Sequence, residues 1–185
     1  MNRNLKMSVT NVIIIINIVV FISIAFSGKV NQIYYLFGIN SPITSKYITF
    51  LTSAFIHGSI MHLLFNMYFL FYMGPILENY LGKNKYLLYY LGCAMLSGFL
   101  TEMFSAQLVI GASGILYAMV TTCITLDKSD SVGFTIYNSR ALINLLLINI
   151  VLTFILPGIS IVGHISGIVV GLIAALIIIS VKERR

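Results

Sequence analysis

The sequence predicts an all-α polytopic membrane protein of six spanning helices, and three features carry that expectation. Hydrophobic residues fill 59% of the 185 positions and charged residues only 9%, where a soluble domain carries about 25% charged residues. The mean hydropathy is +1.00. Charges punctuate the chain at intervals of about 20 residues, the length that a spanning helix needs. Nearly every residue belongs to a long apolar segment or a short connection, so residues 1–185 read as a single membrane domain.

The first span runs from Val9 to Phe26 behind Arg3 and Lys6. It is long for a signal-peptide core, and no A-x-A-type cleavage site follows it. The longest connection comes next, from Ser27 to about His57, and mixes Tyr34, Tyr35, Phe37, Tyr47 and Phe50 with few charges. Such a composition suits the membrane interface, where tyrosine rings are favoured. The second span covers Gly58 to Leu77 and the third Lys85 to Thr101.

The fourth span, Ala112 to Leu126, is unusual because only 15 residues separate Gly111 from Asp127. At 1.5 Å rise per residue that is about 22 Å of helix against a hydrocarbon core of about 30 Å. One end therefore starts below the membrane surface. Irregular backbone at that depth survives only where protein or a wet cavity satisfies it, which implies a water-filled recess in the outer leaflet. Ser139 to Leu156 and Ile161 to Val181 complete the six spans.

Six spans put both termini on one side, and the positive-inside rule assigns that side to the cytoplasm. Nine basic residues (Arg3, Lys6, Lys83, Lys85, Lys128, Arg140, Lys182, Arg184 and Arg185) then lie inside, against Lys29 and Lys46 outside. This use of the net charge of +6 makes the bilayer, and not nucleic acid, the expected partner. The expected location is a bacterial cell membrane. Cys93 and Cys123 both lie in apolar stretches, where thiols serve as small packing residues.

Polar residues inside spans are costly and mark candidate sites. On the second span, His62 and Asn66 stand one turn apart on one face. On the fourth, Gly111-Ala112-Ser113-Gly114 opens the helix, with Tyr117 one turn after Ser113. On the sixth, Gly163, Gly167 and Gly171 form a small-residue stripe beside His164. Each group taken alone also fits plain helix packing, through polar glue or close backbone approach. His62, Asn66, Ser113 and His164, however, all share one depth, in the outer-leaflet part of helices that run from outside to inside. Independent packing features have no need to agree in depth, whereas the parts of one site must.

A serine hydroxyl needs a neighbouring base to become a nucleophile, and neutral imidazole is suited to that task near pH 7. Ser113 and His164 supply such a dyad. No carboxylate lies in the outer third of these helices apart from Glu102 at the loop edge, which argues against a Ser-His-Asp triad. His62, Asn66 and the Ser113 backbone N–H, which is free in the first turn of its helix, could form an oxyanion hole. A metalloprotease lacks its motif here: there is no H-E-x-x-H, and His57 and His62 stand five residues apart, about 140° around a helix. Asp127 and Asp130 sit in a cytoplasmic loop, away from any aspartyl-protease geometry. A transporter would call for intramembrane acid-base pairs across both leaflets, and none occurs.

Taken in order, these residues resemble the rhomboid family of intramembrane serine proteases. The likeness covers about residues 44–171: His57, His62 and Asn66 in an H-x4-H-x3-N pattern, Gly74-Pro75, Glu78, Gly82, the G-x-S-G of Gly111 to Gly114, and the G-H-x-x-G of Gly163 to Gly167. It implies a rhomboid-like bundle of six helices with a Ser113 nucleophile and a His164 base. It also implies an oxyanion hole from His62, Asn66 and the Ser113 amide, and Tyr117 packing on the His164 ring. Expected substrates are other transmembrane proteins, cut near the outer face beside helix-destabilising sequence, with neither cofactor nor metal. The chain departs from the family in the first outer loop, where Ile48-Thr49 stands in place of a frequent Trp-Arg. A non-catalytic rhomboid-like protein that captures transmembrane clients is the alternative, against which the presence of both Ser113 and His164 counts.

Overall fold

The computed structural model describes residues 7–129, 132–136, 139–155 and 159–184. Arg3, Lys6, Asp130, Leu156 and Arg185 of the sequence reading lie outside them. The regular structure among the described residues is helical, apart from one isolated antiparallel bridge between Ile39 and Val109. The helices are α1 (Val9–Phe26), α2 (Val30–Phe37), α3 (Lys46–Thr52), α4 (Ile60–Leu81), α5 (Lys83–Phe104), α6 (Ser113–Asp127), α7 (Ser139–Ile155) and α8 (Ile161–Glu183).

Four of them, α1, α4, α5 and α8, are long and apolar enough to cross a membrane, while α6 and α7 are shorter. Phe65, Tyr68, Phe71 and Tyr72 of α4 and Leu176 and Ile177 of α8 are exposed. A soluble protein does not leave so much apolar surface open to water. The chain is an integral membrane protein.

The second and third spans extend beyond their sequence-based limits. Helix α4 continues through Pro75 to Leu81, and α5 begins at Lys83 directly after Gly82, whose φ of +80° lets the chain reverse. The reason α4 persists lies in Glu78. Its carboxylate accepts hydrogen bonds from the Val9 N–H (2.8 Å), the Thr10 N–H (2.9 Å) and the Thr10 hydroxyl (2.8 Å). The start of α1 presents unpaired N–H groups and the positive end of its dipole, so a buried carboxylate there is satisfied.

Helix α6 is central, with every residue from Ile115 to Cys123 buried. Helix α8 lies against it along Gly163, Gly167 and Gly171. A Cβ on Gly171 would run into Ala118 O and come within 2.8 Å of Thr121 Cβ. The seam is also hydrogen-bonded: Tyr89 on α5 donates to Thr122 Oγ1 (2.9 Å), whose own hydrogen goes to Gly171 O (2.9 Å). Cys93 and Cys123 are buried free thiols, as packing residues should be.

Gly171→Val is expected to cost about 1–3 kcal/mol by overpacking this seam, read as a lower thermal midpoint of detergent-solubilised protein. Gly92→Ala on α5, where a Cβ meets nothing within 4 Å, is expected to leave the midpoint unchanged or slightly raised.

Candidate active site

The seam between α6 and α8 places the two central residues of the site. A Cβ on Gly167 would strike Gly114 O, and one on Gly114 would lie 3.3 Å from Gly163 O. Backbone therefore touches backbone where Ser113 precedes Gly114 and His164 follows Gly163, which sets both residues at one level. The His164 ring lies flat on Tyr117, with centroids 4.2 Å apart and planes inclined by 24°. Ser160 caps this end of α8, its hydroxyl accepting from the Gly163 N–H at 3.0 Å.

Helix α4 brings His62 to the turn that opens α6. The Gly58 N–H donates to His62 Nδ1 at 3.4 Å, so in the neutral ring the hydrogen sits on Nε2. That nitrogen lies 2.7 Å from where a Cβ on Gly111 would stand, and Gly111 has a φ of +116°. Both facts require glycine there. The Gly111 N–H in turn donates to Ser53 O at 2.8 Å, fixing the turn ahead of Ser113. Asn66 Nδ2 donates one hydrogen to His62 O at 2.7 Å, leaving its second hydrogen available.

Ser113 is the first residue of α6, so no helical carbonyl precedes its N–H. A cavity of about 20 Å³ beside it is lined by Ser53, Ser97, Thr101, Gly111, Ser113 and Gly163 among others, room for about one water. Ser113 Oγ and His164 are not hydrogen-bonded to each other; the hydrogen bond of the His164 ring goes from Nδ1 to Thr153.

His57 supports the site from behind. It is 1% exposed, its ring stands 5.0 Å from that of His62, and neither of its nitrogens has a hydrogen-bond partner among the described residues. Burial, and then the charge of His62, push its imidazole from 6.5 down to about 3, so it stays neutral at physiological pH. Tyr34 from α2 donates to His57 O at 2.9 Å.

Sequence reasoning missed two things. The first is Thr153 on α7, whose hydroxyl oxygen lies 2.7 Å from His164 Nδ1, 3.1 Å from the Tyr117 hydroxyl and 2.7 Å from Asn149 O. In the sequence it resembles Thr101 and Thr125, which merely bond back to the preceding turn of their own helices. The second is how the first loop is held without the Trp-Arg pair. Asn40 Nδ2 donates to Ser105 O and Gln107 O at 2.7 Å each, Ile39 bridges to Val109, and Phe50 sits over Gly98 with 2.8 Å left for a Cβ. The available signal was the Gly38-Ile39-Asn40 stretch, since asparagine tolerates the left-handed φ of +66° that Asn40 adopts.

A protein-family model described as the Rhomboid domain matches residues 44–181, which is most of the chain and includes every residue of the convergent site. With all-helical architecture, four long apolar helices and that match together, the protein belongs to the rhomboid family, whose members are intramembrane proteases and inactive relatives of them.

Proposed function

We propose that the protein is an intramembrane serine endopeptidase of the bacterial cell membrane that cleaves transmembrane proteins near the outer face. In this reading the chain crosses six times, with α6 and α7 as the fourth and fifth spans and both termini cytoplasmic. The observation that carries the reading is the stacking of His164 on Tyr117, one turn from Ser113, across the glycine seam.

Ser113 Oγ attacks the scissile carbonyl carbon while His164 Nε2 takes the hydroxyl proton. The negative oxygen of the tetrahedral intermediate meets His62 Nε2–H, the free hydrogen of Asn66 Nδ2 and the Ser113 N–H. Such donors are each worth about 3 kcal/mol in the transition state. His164 then passes the proton to the departing amine, leaving an acyl ester on Ser113. A water, deprotonated by His164, attacks that ester, and His164 returns the proton to Ser113 Oγ as the ester C–O bond breaks, releasing the carboxylic acid and free Ser113. Only an unwound segment of a substrate helix can present its carbonyl here, which selects helix-destabilising sequence.

Purified protein in detergent should cleave a generic transmembrane-peptide substrate, and Ser113→Ala and His164→Ala should each abolish cleavage. Equal cleavage by all three would sink the dyad. No cleavage by the wild type across several substrates would favour the client-binding alternative. Gly111→Ala should lower kcat at least about tenfold by displacing the His62 donor, whereas Gly58→Ala, whose Cβ meets only Ile110 Cδ1 at 3.6 Å, should retain most of the activity.

A further inference from the structure

We infer that Thr153 is a positioning residue for His164: its hydroxyl selects the imidazole tautomer that leaves Nε2 free to act as base. This inference rests on the Ser113–His164 reading and adds to it a third helix, α7.

The argument is a count of hydrogens. Thr153 Oγ1 has three close polar neighbours: Asn149 O at 2.7 Å, His164 Nδ1 at 2.7 Å and the Tyr117 hydroxyl at 3.1 Å. A hydroxyl owns one hydrogen and two lone pairs, and a carbonyl oxygen owns no hydrogen. At 2.7 Å the contact with Asn149 O therefore needs the threonine hydrogen between the two oxygens. The lone pairs of Oγ1 are left to accept from the other two neighbours, so the Tyr117 O–H and the His164 Nδ1–H both donate to it. Turning the threonine hydrogen away from Asn149 sets two unprotonated oxygens face to face at 2.7 Å, and leaving Nδ1 bare sets its lone pair against that of Oγ1 at 2.7 Å, in a buried site where neither clash is relieved by water.

With its hydrogen on Nδ1, neutral His164 carries its lone pair on Nε2, at the far edge of the ring from α7. The stacked Tyr117 fixes the plane of the ring, and Thr153 fixes its rotation within that plane. A carboxylate does the same for the imidazole in a triad, and no carboxylate does it here. A hydroxyl in that place orients the ring without adding a second charge to a buried site. It stabilises the imidazolium less than a carboxylate would, which sets the size of the expected effect.

The test uses the full chain in detergent with 15N-histidine. There are three histidines in the chain, and the His164→Ala spectrum assigns the third by subtraction. Wild type should show His164 as the Nδ1–H tautomer. Thr153→Val, of equal size but without the hydroxyl, should lose that preference, lower kcat roughly tenfold, as the loss of one hydrogen bond to the reacting base would, and change KM by less than about twofold. Thr153→Ser should restore both the tautomer and most of the kcat. If the valine protein fails to fold, Thr153→Ala reads the same quantities.

An unchanged tautomer in the valine or alanine variant, or a loss of kcat that serine does not restore, overturns the inference. Failure of the underlying reading looks different, because Ser113→Ala would then still cleave, or the wild type would not. The tautomer comparison still decides in that case whether Thr153 orients His164.

Discussion

Close backbone contact between α6 and α8 is the constraint on which the rest of the structure depends. In a bilayer, lipid competes equally for apolar side chains, so helices gain little from apolar contact as such and associate through tight van der Waals fit and hydrogen bonds. Gly163, Gly167 and Gly171 bring α8 so near that a Cβ on Gly167 or Gly171 would strike the backbone of α6. The translation and rotation of α8 are then set by the carbonyl groups of Gly114 and Ala118 on α6. His164 inherits that precision, because it adjoins the first glycine of the stripe.

Buried polar groups add a second layer of order, since each must find a partner where water is scarce. At the far end of α4, Glu78 answers the open N–H groups of α1. At the near end, Ser53 O receives the Gly111 N–H, and Asn40 binds two carbonyls of the α5–α6 connection. The long first loop is thus tied to the turn that opens α6. Phe50 on α3 packs closely over Gly98 of α5 and adds a further tie.

Much of this was legible in the sequence, for reasons that can be named. Helix α1 has the limits that its apolar run sets, and the unusual shortness of α6 follows from the placing of Gly111 and Asp127. The glycine period on α8 foretold a close neighbour with His164 turned towards it. The full length of α4 was not legible, because a charged Glu78 reads as the end of an apolar span, whereas the start of α1 satisfies its carboxylate. Thr153 was hidden for a different reason. A threonine in an apolar helix most often satisfies itself on the preceding turn, as Thr153 also does with Asn149 O, and only the arrival of a second and third helix makes its lone pairs significant.

The two imidazoles of the proposed site show why partners matter more than residue type. His62 accepts the Gly58 N–H at Nδ1 and so presents a hydrogen from Nε2. His164 faces a threonine whose hydrogen is committed elsewhere, and so presents a lone pair from Nε2. One ring becomes a donor suited to a developing oxyanion, the other an acceptor suited to a serine proton. Neither assignment needs a charge in the membrane, and both are set by a single contact on the Nδ1 side. A buried dyad without a carboxylate is workable on these terms, because orientation and hydrogen placement, and not an added negative charge, are what the surrounding helices supply.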